Sequence, residues 1–267
     1  MNEQEFTIVK EVSKELAKDV YNDGAKKSVQ QAGEIVESVV GLFNNVVLYP
    51  IKKANVYFKH KLEDFKDELE NRVKTIPEDK LIEPDLMIAG PTLEALKYTF
   101  DKKELKNMYL NLLTASMNVE SKNNAHPGYV DIIRQLTPLD AKVFKIIYEK
   151  GQVACVHPIL RIDNSVKVYV NIYPNYLVEE VLGLSDEFSL SSSLSNLIRL
   201  GLVTYEEKEI KSYNYERFKS FDILVNNKKA MDDSNLYEGN GITTTIDYNN
   251  GVIKLDDFGK KFANVCL

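Results

Sequence analysis

A change of hydrophobic period near Leu136 constrains this chain more than any other feature. Up to that point apolar residues recur at spacings of three and four, the period of a helix face. Phe6, Val9, Val12, Leu16 and Val20 begin the pattern, and Asn22-Asp23-Gly24 breaks it. A second stripe runs from about Gly24 towards Leu48, and Pro50 stops it by removing a donor and crowding the preceding turn. From Ile51, the residues Ala54, Tyr57, Phe58, Leu62, Phe65, Leu69 and Val73 predict a long amphipathic helix with a mixed-sign outer face. Helix resumes near Pro84, and Gly90-Pro91-Thr92 is expected to interrupt it, with Thr92 capping the next piece. Lys103 to Ser116 buries Leu105, Met108, Tyr109, Leu112 and Leu113, followed by Met117. Tyr129 to Gln135 is a short helix after a polar connector.

Beyond Leu136 helices alternate with β-branched strands. Thr137-Pro138-Leu139-Asp140 has a cap, a proline at the first helical position and an acid in the first turn. That helix should bury Ala141, Val143, Phe144, Ile147 and Tyr148 and end at Gly151. Val153 to Tyr173 reads as a hairpin about Asp163-Asn164-Ser165. Helices are predicted over Tyr173 to Gly183 and over Ser189 to Leu200, the latter capped by Ser189 or Ser191 and stopped by Gly201. Leu202 to Tyr205 starts a strand, Gly251 to Leu255 returns it, and Asp256 caps a final helix over Phe258 to Val265. Asn240-Gly241 and Asn250-Gly251 read as hairpin turns. The stretch from Glu206 to Asn250 far exceeds the usual loop of roughly 2–6 residues, and Phe218, Phe221, Ile223, Leu224 and Val225 suggest a packed element inside it. The expected class is α+β and mostly helical. A helical region over 1–135 precedes a winged-helix-like domain over 136–267 with a long wing insertion.

Composition removes several chemistries. The chain carries 34 Lys+Arg, 40 Asp+Glu, three His and two Cys in 267 residues. Two cysteines, Cys155 and Cys266, cannot build a disulfide framework or a Cys-rich zinc site. His126-Pro127 reads as a loop pin, His60 as solvated, and Cys155 with His157 as a packed strand face lacking further ligands. Asp256-Asp257-Phe258-Gly259 has no glycine-rich loop or catalytic loop to accompany it and reads as a helix cap. No catalytic, cofactor-binding or metal-ligating residue is predicted. The first twenty residues lack a signal-peptide core, and the uncharged run from Ser38 to Ile51 is shorter than the roughly 18–20 apolar residues a spanning helix needs. A cytoplasmic protein is expected.

Three stretches carry a family resemblance. They are Pro91-Thr92-Leu93-Glu94-Ala95; Lys103-Glu104-Leu105 through Leu110-Asn111-Leu112-Leu113-Thr114-Ala115-Ser116-Met117; and His126-Pro127-Gly128-Tyr129-Val130-Asp131-Ile132-Ile133-Arg134-Gln135-Leu136-Thr137-Pro138-Leu139-Asp140-Ala141. With Phe258-Gly259-Lys260-Lys261-Phe262 and Cys266-Leu267, they make the chain from about Ile76 onward resemble the Abi-alpha family of bacterial abortive-infection proteins. Leu255-Asp256-Asp257 stands where a Thr cap is expected, and Asp caps equally well. The resemblance implies a role in phage resistance and carries no established active site.

The winged-helix-like reading directs attention to two basic or polar sets. On the predicted recognition helix, Ser192, Ser195, Asn196 and Arg199 are candidate contacts for a partner or nucleic acid. In the wing, Lys208, Lys211, Arg217 and Lys219 make a local basic patch among tyrosines. Residues 136–267 nevertheless hold fifteen Lys+Arg against eighteen Asp+Glu, and counterion release requires several uncompensated cations. An unknown protein partner is therefore the first expectation, and a nucleic acid the second. Gly24 to Ala54, bracketed by Lys26-Lys27 and Lys52-Lys53, keeps a membrane surface open as a third, and homo-oligomer packing is a further use for the same stretch. The function expected is a non-enzymatic component of abortive-infection defence. A DNA-binding regulator and a membrane-active effector are the alternatives.

Overall fold

The structure is a computed structural model, described here over residues 32–43, 55–162, 168–171, 174–226, 229 and 244–267. The expected helix over Phe6 to Tyr21 and the Asn240-Gly241 turn lie outside those residues. The chain forms two compact units. The first comprises 1–101 and 109–130, the second 102–108 and 131–267.

The first unit is helical. A segment over 32–43, here α1, is followed by α2 (Asn55–Val73), α3 (Leu86–Leu96) and the later part of α4 (Lys103–Ser116). In α1, Ile35, Val36, Val39 and Phe43 are buried. Phe43 packs with Phe65 of α2 at 5.4 Å between ring centroids and meets Phe100 edge-on at 5.9 Å. Leu69, Val73, Leu93, Leu96, Leu112, Leu113 and Met117 complete the core. The stripe of α4 falls where its spacing predicts, and of the α2 stripe Phe65, Leu69 and Val73 are buried and Leu62 partly so, while Ala54 lies outside the described residues.

Helix α3 differs from expectation. Gly90-Pro91-Thr92 does not interrupt it, and Thr92 is a fully buried interior residue rather than a cap. The cap is Asp85, whose carboxylate accepts from Met87 N at 2.8 Å. Proline removes one amide donor, and here that costs only the bond to the Met87 carbonyl, beside a side chain that is mostly exposed. Burial of Ile88, Leu93 and Leu96 holds the helix through the defect.

The second unit combines helices with an antiparallel sheet. After α5 (Gly128–Arg134) come α6 (Pro138–Lys150), β1 (Gln152–Ile162), β2 (Val168–Asn171), α7 (Glu187–Arg199), β3 (Val203–Glu206), β4 (Thr244–Leu255) and α8 (Asp257–Cys266). The sheet order is β2-β1-β4-β3. Strands β1 and β4 pair from Gln152 with Lys254 to Ile162 with Thr244. The predicted hairpin appears as β1 and β2.

Helix α6 begins as its sequence dictates. Asp140 N donates to Thr137 Oγ1, and Thr137 N donates back to Asp140 Oδ2 at 2.7 Å, a reciprocal capping box. Gly151, at φ 76°, ends it. Phe144 packs on Phe262 of α8 at 5.6 Å, but Tyr148 lies exposed and donates to Asn264 Oδ1, rather than facing inward.

Two local expectations fail in the sheet. Of the helix expected over Tyr173 to Gly183, the described residues from Pro174 onward do not form one. Leu177 exchanges both backbone hydrogen bonds with Val156, each at 3.0 Å, and only Glu179–Val181 coils into a 3-10 turn. Pairing with the free edge of β1 outcompetes the helix, because it satisfies two buried backbone groups at once. Asn250-Gly251 is not a turn but lies inside β4, opposite Val156 and Cys155. A Cβ on residue 251 would sit 2.2 Å from the Tyr205 ring, so glycine there admits a close approach instead of a reversal. The returning strand accordingly begins at Thr244, seven residues before Gly251, and shortens the insertion.

The remaining insertion folds onto the sheet. Tyr215–Ser220 is a 3-10 segment, and a helical turn covers 222–226. Phe218 and Leu224 are buried with Ala154, Val156 and Leu177, and Phe221, Ile223, Ile246 and Tyr248 pack around them. Val225, grouped with them by sequence, is about half exposed. Tyr215 Oη donates to Gly251 O at 2.9 Å, and Tyr248 Oη donates to Tyr215 O at 3.1 Å.

Candidate functional site

Helix α7 carries half of the predicted contact residues. Its cap is Asp186, not Ser189 or Ser191, and the carboxylate accepts from Ser189 N at 2.9 Å and from Ser189 Oγ at 2.6 Å. Those bonds hold the Asp186 carboxyl below its ordinary range. An aspartate one turn ahead competes well for the cap and leaves both serines inside the helix. Leu190, Leu194 and Leu197 face the core, and Ser191 Oγ accepts from Tyr176 N at 3.1 Å.

The C-terminal end of α7 is tied to the start of α6. Asn196 Nδ2 donates to Gln135 O and to Asp140 Oδ2, both at 3.0 Å. Asn196 Oδ1 accepts from Arg199 Nε at 3.1 Å and Nη2 at 2.8 Å, and Arg199 Nη1 donates to Gln135 Oε1. Asn196 and Arg199 thus have partners within the fold. Ser195 donates to Ser191 O at 2.9 Å, and Ser192 is exposed.

The wing set is internally compensated in the same way. Lys208 pairs with Glu206, which also holds Lys254. Arg217 pairs with Glu179, and Tyr213 Oη donates to the same carboxylate. Lys219 pairs with Glu216 at 2.6 Å. Lys211 is exposed in the turn after Ile210. The basic patch visible in the sequence is therefore distributed among separate carboxylates.

An open groove of about 760 Å³ lies where β1 begins and β4 ends, lined by residues including Lys150, Thr204, Tyr205, Glu206, Lys254 and Lys260. Lys254 pairs with Glu206, and Lys260 with Asp257 at 2.9 Å. Burial pushes the Tyr205 phenol up to about 12, while hydrogen bonds from lysines hold the Glu206 and Asp257 carboxyls below their usual range. These shifts keep the Tyr205 phenol protonated and the two carboxylates ionised near pH 7.

The histidine and cysteine candidates have packing roles. His126 Nδ1 accepts from Gly128 N at 3.0 Å, and its ring lies 5.7 Å from that of Tyr129. His157 meets Tyr176 edge-on at 5.9 Å. Cys155 is fully buried, and its thiol is pushed up by desolvation. Among the described residues, no three His, Cys, Asp or Glu side chains converge as metal ligands, and no helix is long and apolar enough to cross a membrane.

A set of exposed apolar residues escaped the sequence reading. Phe188 is 53% exposed, and Leu182 and Leu184 lie beside it in sequence at 37% and 40%. The signal was the helix period. Phe188 falls two residues before Leu190, about 200° around the helix from the buried stripe.

No curated protein matches the chain. Among solved structures, a similar one is that of the uncharacterized protein from the hydrocarbon-degrading marine bacterium Alcanivorax borkumensis SK2. It is 13% identical over 49% of this chain and 85% of that one, with a TM-score of 0.32, too low to identify a fold. The family model for abortive infection alpha matches residues 57–266, so that the match begins within α2, takes in both units and ends in α8. With that much of its length matched, the chain belongs to the abortive infection alpha family.

Proposed function

We propose that the protein is a non-enzymatic, cytoplasmic component of abortive-infection phage defence whose second unit recognises a protein partner. The carrying observation is the internal compensation of the polar candidates. Lys208, Arg217 and Lys219 sit in ion pairs, and Asn196 and Arg199 are bound to Gln135 and Asp140. A nucleic-acid surface needs cations free to replace counterions on phosphates. The strand order β1-β4-β3, with α7 leading into β3, supports a winged-helix-like reading of this unit. In that reading α7 is the presented helix. The segment after β3 is not a free wing, because Phe218, Leu224 and Tyr215 anchor it to the sheet.

The test has two arms. Plaque counts with and without the gene, across diverse phages, should fall when the gene is present, and unchanged counts overturn the defence role. Mobility shifts with duplex DNA at low salt should show no complex. A shift that disappears steeply with added salt would establish the DNA-binding reading instead.

A further inference from the structure

One acid of the second unit holds a carboxylate oxygen out of water without a donor. Glu180 lies in the 3-10 turn Glu179–Val181, flanked by the buried Val178 and Val181. Its Oε2 is shielded from solvent, and none of the described residues donates a hydrogen bond to it. Its neighbour Glu179 is the opposite case. Arg217 pairs with Glu179, and Tyr213 Oη donates to the same carboxylate. The nearby guanidinium is thus committed one residue away.

Titratable groups face Glu180 from each element packed around the turn. Lys150 stands at the end of α6, Cys155 on β1, and Tyr213, Tyr215 and Arg217 on the insertion, while Glu179 belongs to the turn itself. Burial pushes the Glu180 carboxyl above its ordinary value, against the pull of its own amide, Lys150 and Arg217, and Glu179 adds to the push. Packing of the turn therefore depends on a proton. In the packed state an ionised Glu180 keeps a charged oxygen buried, whereas the neutral acid costs less to bury. Once the turn lifts and Glu180 is hydrated, the carboxyl titrates as an ordinary one. The packed state binds the proton more tightly, so proton uptake favours that state.

We infer that Glu180 is a proton-operated latch: as the surroundings acidify it takes a proton from solvent and holds the Glu179–Val181 turn, with the insertion around Tyr215 and Phe218, more firmly against β1. Loss of the proton loosens them. The turn leads through Leu182 to Asp186, the cap of α7, so the latch sets how firmly the approach to that helix is held. The folded value lies above the unfolded one, so this stabilisation grows as pH falls through the folded value, is complete below 4.5 and is lost as pH rises. The inference goes beyond partner recognition and needs no partner for its test.

Two measurements on the full chain test it. Carbon-13 NMR of the glutamate carboxyls follows Glu180, assigned as the signal lost from Glu180→Gln or, should that variant not fold, from Glu180→Asp. Its midpoint should lie above 4.5. Hydrogen exchange follows the amides of Leu177, which bonds to Val156, and of Phe221 and Leu224 in the insertion. Corrected for the intrinsic pH dependence of exchange, their protection should rise at least about threefold as pH falls from about 7.5 to about 4.5, with the midpoint of Glu180. In Glu180→Gln, neutral at every pH, protection should stay within about twofold of the acid level of wild type. A Glu180 midpoint at or below 4.5 overturns the inference. So does protection that does not rise in wild type, or that rises equally in Glu180→Gln. A wild-type rise whose midpoint differs from that of Glu180 by more than about half a pH unit overturns it as well.

Discussion

The two ends of helix α7 invert the usual expectation about which residues meet partners. At its C-terminal end, the polar Asn196 and the charged Arg199 look available in sequence, yet they bind Gln135 and Asp140 and fasten α7 to α6. At its N-terminal end, the apolar Phe188 looks like core, yet it stands half exposed. A polar side chain is not a free one, and burial is decided by angle around the helix, not by residue type. The comparison divides the helix by packing: the C-terminal end is fastened to α6, and the N-terminal end leaves an aromatic ring half exposed.

The largest blow to that division is Asp140→Ala. Asp140 is 2% exposed and serves two donors, Thr137 N and Asn196 Nδ2. Its loss removes half of the capping box and one of the two bonds that the half-buried Asn196 Nδ2 makes. The expected cost is about 2–4 kcal/mol, measured by urea denaturation with an unchanged slope. Asn196→Ala should cost less, about 1–2 kcal/mol, because Asp140 still caps α6 while the bonds to Gln135 and Arg199 go. If Asn196→Ala left stability untouched while abolishing a partner interaction, the polar end would be the recognition end after all.

Much of this architecture was legible in the sequence where local chemistry and packing agree. Thr137-Pro138-Leu139-Asp140 gave the start of α6, Gly151 its end, and the spacing of Leu105, Met108, Tyr109, Leu112 and Leu113 the buried side of α4. Legibility failed where a distant partner overrode a local signal. Pro91 was read as a break, but the apolar surface of α3 keeps the helix intact. Asn250-Gly251 was read as a turn, because nothing near it in sequence reveals that Tyr205 needs the space. The helix expected over Tyr173 to Gly183 was lost, from Pro174 onward, to the edge of β1. The charge balance of the candidate site was hidden for the same reason. Glu179, the partner of Arg217, lies in another segment, so the wing looked basic when its charges were already matched.

A smaller effect sharpens the comparison through pH. The Asp186 carboxyl is held below 3.8 by bonds from Ser189, so its cap contributes fully above the unfolded-state pKa. That contribution is lost as pH falls through the depressed folded value, since protonation removes the charge that the amide and hydroxyl stabilise. Asp186→Asn keeps a capping oxygen without the titration. Thermal melts should therefore show wild type losing more stability than Asp186→Asn as pH drops below 3.8. Parallel curves would mean that the cap does not depend on charge.

The smallest expected effect on stability is the one that most directly separates the two ends. Phe188 is half exposed, so truncating it removes less apolar area from the core than loss of a buried ring would. It also lies in the first turn of α7, where alanine is a good helix former and Asp186 continues to cap. Phe188→Ala should change unfolding free energy by no more than about 0.5 kcal/mol, against several times that for Asp140→Ala. A large loss of stability would place Phe188 with the core and remove the distinction between the ends of α7. A neutral result keeps an exposed aromatic ring on a helix that does not require it for folding.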